Sequence, residues 1–256
     1  MLSVHNLVKE FDGLTAVNGL NFTVEPETIT GLIGPNGAGK TTTFNMITGH
    51  VKPSHGSIHF DGEDITHLRP HQAFHLGVVR TFQIPRPFSG MTVLENLTMV
   101  PGNQIGEKIW NNWLRSSTVE KEELRIQEKA NELLEFLNLA DLRNEFSGNL
   151  SGGQLKLLEL GRALMSDPKL ILLDEPGAGV NPTLLEEIIE RIRDIHGQGV
   201  TFLIIEHNME LVMRLCSSVL VMVEGGILMQ GSPEDIRSDP RLIDAFLGGG
   251  TLSSDN

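Results

Sequence analysis

Lys40 is the residue best placed to do chemistry, because of what surrounds it. Residues 34–42 read Gly34-Pro35-Asn36-Gly37-Ala38-Gly39-Lys40-Thr41-Thr42 and fit the pattern G-x-x-x-x-G-K-[ST]. The glycines let the backbone curl so that successive N–H groups point into one concavity. A helix N-terminus adds a partial positive charge there, and together these suit a polyphosphate. In such a loop the lysine reaches the terminal phosphates and the Thr41 hydroxyl binds Mg2+. An accidental match is roughly a one-in-a-hundred event in a chain of this length.

Two further clusters could act on a bound phosphate. Asp174-Glu175 follows the apolar run Leu170 to Leu173, and Glu206-His207 follows Phe202 to Ile205. Asp174 is suited to hold Mg2+ beside Thr41 through water, since magnesium keeps several waters. Glu175 points differently and could polarise an attacking water, a form of assistance worth about 10²–10⁴ in rate. Taken alone, a strand-end acidic pair serves equally well as a helix cap; the phosphate loop in the same chain favours the catalytic role. Ser151-Gly152-Gly153-Gln154 is a second anion site, a serine N-cap whose glycines expose backbone N–H groups. By itself Ser-Gly-Gly is as often a flexible turn; because one chain already has a complete loop for its own nucleotide, the economical use of a second anion site is for a nucleotide held by another subunit.

These groups need elements to carry them. Thr28 to Ile33 reads as the strand entering the loop, and Thr43 to Thr48 continues it as a helix that Gly49 ends. Residues 2–8 and 19–24 read as strands, with Leu20, Phe22 and Val24 alternating. Ser57 to Phe60 is another strand, turning at Asp61-Gly62. Pro85, Pro87 and Gly90 mark an irregular connection, and residues 119–139 show helical spacing at Ile126, Ala130, Leu133 and Leu137. Residues 100–118, with Trp110 and Trp113, form an insertion. Ser151 to Met165 reads as a capped helix, and Asn181 and Pro182 start another that runs to Ile195. Leu170 to Leu173, Thr201 to Ile205 and Val219 to Val223 are strands of the fully buried type, and Glu224-Gly225-Gly226 turns the last into an edge hairpin. Alternation of helix and strand predicts an α/β fold with a mostly parallel sheet flanked by helices. In such sheets ligands bind at the C-terminal strand ends, where the clusters above lie.

Composition narrows the partners. A net charge of −13 argues against a broad nucleic-acid surface. The single cysteine, Cys216, forms no internal disulfide and fits a reducing compartment and a core position. No apolar run approaches the roughly 18–20 residues that span a bilayer, and residues 1–5 lack signal-peptide character. A soluble, cytoplasmic chain is expected, one that could still dock on a membrane protein.

In order along the chain, GPNGAGKTT at 34–42, Gln83 in TFQ, LSGGQ at 150–154, LILLDEP at 170–176 and His207 in IIEH resemble the motifs of ABC-type ATPases. The resemblance implies a P-loop NTPase fold of ABC type, with an antiparallel β subdomain and an inserted helical subdomain. It implies one ABC ATPase domain over 1–247, in which 1–82 and 156–247 form the nucleotide-binding core with the β subdomain and 83–155 the helical subdomain. Residues 248–256 are then a flexible tail. The cofactors it implies are ATP and Mg2+, with two chains pairing head to tail around two ATP molecules.

By position, Phe11 matches the aromatic that stacks on adenine, and Val17 flanks the base. The residue pattern alone would make Phe11 a core residue. Gln83 matches the glutamine that senses magnesium and the attacking water, and His207 the histidine on the γ-phosphate. Ser151, Gly152, Gly153 and Gln154 match the signature that closes over the partner's nucleotide. Where the family often has Ser-Ala-Leu-Asp, this chain has Ala178-Gly179-Val180-Asn181; Asn181 keeps the helix cap but loses a charge that would act across a dimer.

A finer resemblance, carried by GVVRTFQ at 77–83, MTVLEN at 91–96, DEPGAGVNP at 174–182 and DPRLIDAFLG at 239–248, is to ATPase subunits of branched-chain amino-acid importers. It implies an ATP-hydrolysing subunit at the cytoplasmic side of the cell (inner) membrane. The implied partners are membrane permease subunits, a second identical or related ATPase subunit and, indirectly, a solute-binding protein, with no nucleic acid. Pro85-Arg86-Pro87-Phe88 is the expected contact with the permease's cytoplasmic coupling helix. Importers of urea or other polar solutes are similar. A non-transport ABC ATPase acting on nucleic acid or ribosomes would carry two cassettes, coiled coils or basic surfaces, none of which this sequence has.

Overall fold

The computed structural model describes residues 1–81, 87–102 and 116–247. Gln83, Pro85, Arg86, Trp110, Trp113 and the expected tail lie outside the described residues. The chain divides into two compact units, one of 1–80, 169–178 and 192–256, the other of 81–168 and 179–191. The second unit thus runs past the expected boundary at 155 and takes in a separate later segment.

In the first unit, β1 (Leu2–Phe11) and β2 (Leu14–Val24) form a hairpin. Asp12 and Gly13 between them both have positive φ, 44° and 92°, the backbone that a two-residue I′ turn requires. Strand β2 therefore starts earlier than residue 19, but the expected alternation holds, with Leu20, Phe22 and Val24 buried. After β3 (Ile29–Ile33) come α1 (Lys40–Ile47), β4 (His55–Phe60), the short β5 (Glu63–Asp64), α2 (Pro70–His75) and β6 (Val78–Arg80).

The second unit contains α3 (Val93–Thr98), α4 (Ser116–Phe136) and α5 (Gly152–Leu164). Of the positions named by helical spacing, Ala130 and Leu137 are buried on and just beyond α4, Ile126 and Leu133 are half-buried, and Leu134 is buried beside them. Helices α4 and α5 pack closely: a Cβ added at Gly161 would stand 2.7 Å from Leu137 Cδ1. Fully buried Asn96 donates to the carbonyls of Phe88, Met91 and Thr92 and to Ser147 Oγ, which fixes the turns around α3.

The remaining elements are β7 (Leu170–Asp174), α6 (Pro182–His196), β8 (Thr201–Ile205), α7 (Met209–Leu215), β9 (Ser218–Val223), β10 (Gly226–Gly231), α8 (Pro233–Ser238) and α9 (Pro240–Leu247). Asn181 caps α6 as expected, its Oδ1 accepting from Leu184 N at 3.0 Å. The expected edge hairpin is present as β9 and β10.

Two sheets result. One has the order β2-β1-β4-β5 and is antiparallel. The other has the order β10-β9-β3-β8-β7-β6, parallel except for the β10 edge. Strands β3, β7 and β8 are buried at every residue, which is why Leu170 to Leu173 and Phe202 to Ile205 read as continuous apolar runs. They are neighbours, and Leu32 and Asp174 both register with Ile205, so their C-terminal ends stand side by side. Cys216 is buried as expected, and burial, seconded by the charge of Glu206, pushes its thiol up to about 12.

Candidate nucleotide site

The loop between β3 and α1 is built by glycines that no other residue could replace. Gly34 has φ 151°, and a Cβ there would meet the Met222 carbonyl oxygen at 2.0 Å; at Gly39, φ 97°, it would meet the Ala16 carbonyl oxygen at 2.4 Å. The loop is thus pressed against β2 and β9 on backbone alone, at the start of α1.

A cleft of about 350 Å³ opens over this loop, lined by Phe11, Ala16, residues 36–42, Glu175 and His207. Of the expected loop residues, Asn36, Gly37, Ala38, Gly39, Lys40, Thr41 and Thr42 line it, whereas Gly34 and Pro35 do not. Lys40 is 6% exposed and donates through Nζ to the carbonyls of Gly34 and Pro35, at 2.8 and 2.9 Å. Burial lowers the Lys40 pKa from its usual value, while the Glu175 and Asp174 carboxylates act to raise it.

At the tip of the β1–β2 hairpin Phe11 is 43% exposed, so it is not a core residue; Lys9 Nζ lies 4.7 Å from its ring centre. Val17, expected to flank the base, has its side chain fully buried in the hydrophobic core, and its neighbour Ala16 lines the cleft. Adjacent residues of a strand face opposite sides, so one position decides between core and cleft.

The two strand-end clusters come together. Glu175 has φ 51°, a left-handed conformation that a non-glycine residue adopts only at a cost of order 1–3 kcal/mol and that concentrates at functional sites. Its Oε1 lies 3.0 Å from His207 Nε2. Asp174, one residue earlier, does not line the cleft; its Oδ2 accepts from Arg80 Nη2 at 2.7 Å, and the pair is buried, 6% and 7% exposed. Arg80 Nη1 donates to Asn45 Oδ1 of α1 at 2.5 Å. Sequence reasoning missed Arg80 and Asn45. A charged residue closing the buried run Val78-Val79 was the one available signal, and its partner lies 94 positions away.

In the second unit Ser151 caps α5 as expected, and Gln154 completes a capping box. Ser151 Oγ accepts from Gln154 N at 3.4 Å, and Gln154 Oε1 from Ser151 N at 2.9 Å. Ser151 and Gly152 are exposed. Gly153 is buried for a packing reason, since a Cβ there would lie 1.5 Å from Leu184 Cδ2. Among the described residues no helix is long and apolar enough to cross a membrane.

Comparison with known proteins places these features in context. The profile of the ABC transporter family matches residues 17–178. A probable branched-chain amino acid transport ATP-binding protein LivG of Archaeoglobus fulgidus is 46% identical over 97% of this chain and 95% of its own length. The high-affinity branched-chain amino acid transport ATP-binding protein LivG of Escherichia coli K12 is 39% identical, covering 97% and 98%. Among solved structures, the ADP conformation of MJ1267, an ATP-binding cassette of an ABC transporter, superposes with a TM-score of 0.83 at 40% identity, covering 97% and 98%.

Proposed function

The chain belongs to the ABC transporter family as the ATP-hydrolysing subunit of an importer, and from that premise we propose that the cleft over residues 36–42 is its hydrolysis site, with Glu175 as the base. The observation that carries this reading is the convergence of Lys40, Thr41, Glu175 and His207 on one cleft, with Glu175 and His207 in contact at 3.0 Å. The adenine lies against the exposed Phe11 ring. Loop N–H groups and Lys40 hold the β- and γ-phosphates, with Lys40 exchanging its two carbonyl partners for phosphate oxygens. Glu175 takes the proton from the attacking water, and His207 holds that water and the γ-phosphate in line.

Thr41 and Asp174 fit Mg2+. Both offer hard oxygen donors, and the Asp174 carboxylate acts electrostatically on Lys40 in the cleft wall. When bound, the ion supplies charge neutralisation between the β- and γ-phosphates.

The exposed Ser151-Gly152 end of α5 supplies N–H donors to the nucleotide of a second ATPase subunit, identical or related. ATP-dependent closure of that pair works on permease subunits at the cytoplasmic face of the membrane. Branched-chain amino acids are the solutes, a reading supported by the names of the relatives at 38–46% identity. Co-purification of the membrane complex and ATP-driven uptake in proteoliposomes test it. Uptake of leucine, isoleucine or valine is expected; uptake of urea or another polar solute in their place would overturn the solute class.

A further inference from the structure

Glu206 bonds the backbone of the two loops that carry the catalytic side chains just assigned, and neither assignment uses it. It follows β8 directly and is 3% exposed. Its Oε1 accepts from Gly177 N at 2.9 Å, and its Oε2 accepts from His207 N at 3.0 Å and Asn208 N at 3.2 Å. One carboxylate therefore grips two loops, the segment two residues beyond Glu175 and the turn that carries His207. A second link runs in parallel, since Glu175 N donates to Ile205 O at 2.9 Å. On the far side Asn208 caps α7, its Oδ1 accepting from the N–H groups of Glu210 and Leu211, so the turn has a rigid anchor.

The chemistry of the side chain matters here. All three partners are backbone donors, and an ionised carboxylate is an acceptor at both oxygens. An amide of the same shape would turn an NH2 group toward one of the donors and lose that side of the bracket. Buried N–H groups left without acceptors would then favour a rearranged loop.

We propose that Glu206 is a positioning residue for ATP hydrolysis: by bracketing Gly177 and His207 it sets the distance between Glu175 and His207. Movement of either loop is passed to the other through the same carboxylate, so the base and the water-holding histidine shift together. This rests on the catalytic roles proposed for Glu175 and His207.

The test is a kinetic double-mutant cycle in the full chain with Glu206→Gln and His207→Ala, measuring kcat for ATP hydrolysis and the Kd of a fluorescent ATP analogue. Glu206→Gln is expected to lower kcat about 10–100-fold, the scale of a misplaced catalytic group, with Kd unchanged. In the His207→Ala background the same substitution is expected to add little further loss. Parental kcat in Glu206→Gln, an equal fall in affinity, or full additivity with His207→Ala would each overturn the proposal. Parental kcat in His207→Ala alone would instead refute the role given to the histidine. Amide hydrogen exchange on the parental protein serves if Glu206→Gln does not fold. Slow exchange at Gly177, His207 and Asn208 is expected, and exchange as fast as in the exposed hairpin tip at Gly13 would break the bracket.

Discussion

Arg80 and Asp174 form a buried ion pair, Nη2 to Oδ2 2.7 Å, with 7% and 6% of their side chains exposed. The same guanidinium holds Asn45 of α1, so one side chain joins the end of β6, the end of β7 and the helix that follows the phosphate loop. A carboxylate proposed to act on Mg2+ is thus held in place by a buried cation that also bonds α1.

Removing one partner of a buried pair leaves the other charge uncompensated, at a cost of roughly 3–5 kcal/mol. Arg80→Met is therefore expected to lower the thermal or urea midpoint markedly. Adding Asp174→Leu should recover most of that loss, because neither member of the pair is then left buried without its partner. Equal stability of Arg80→Met and the parent would mean the pair contributes nothing to the fold.

Lys40→Ala removes a cation that lines the cleft over the phosphate loop. Charge-assisted contacts contribute about 1.5–3 kcal/mol each, so ATP affinity should fall about 10–100-fold. Titration of a fluorescent ATP analogue checks this. Unchanged affinity would remove residues 34–42 from the nucleotide site.

Phe11 is exposed at a hairpin tip, so Phe11→Ala should leave stability within about 0.5 kcal/mol. Stacking on a base is worth about 1–3 kcal/mol, so ATP binding should weaken while inorganic triphosphate binding stays constant. Calorimetry with both ligands separates a base contact from a phosphate contact. Equal losses for the two would show that Phe11 does not touch the adenine.

Gly153 shares the signature motif but is held to glycine by Leu184. Gly153→Ala should destabilise the chain by about 1–3 kcal/mol through overpacking, and Leu184→Ala in the same chain should relieve it. Chemical denaturation of the single and double variants measures both. A Gly153→Ala protein as stable as its parent would leave the glycine to a role in nucleotide contact alone.

The parts of this site legible in the sequence are those coded by neighbours along the chain. The phosphate loop carries its own spacing, and the acids at 174–175 and 206–207 end strands whose apolar runs announce a buried parallel sheet. The capped starts of α5 and α6 were legible for the same reason. What could not be read depends on contacts between distant residues or on the choice between adjacent ones. Arg80 has its partner 94 residues away, and Glu206 bonds Gly177 across 29. Ala16 and Val17 differ in facing by a single strand step, which the pattern around Leu14 to Val17 is too short to decide. The Asp12-Gly13 turn is a local signal that sets the start of β2.

Glu175→Gln is the most direct measurement on the hydrolysis site. The substitution keeps the shape of the side chain and removes its basicity. Steady-state ATP hydrolysis should fall by about 10²–10⁴, the scale of general-base assistance, while the Kd for ATP stays at the parental value. Sedimentation with ATP should then show a dimer that persists because its nucleotide is not cleaved. Hydrolysis at the parental rate in Glu175→Gln would mean that another group takes the proton from the attacking water.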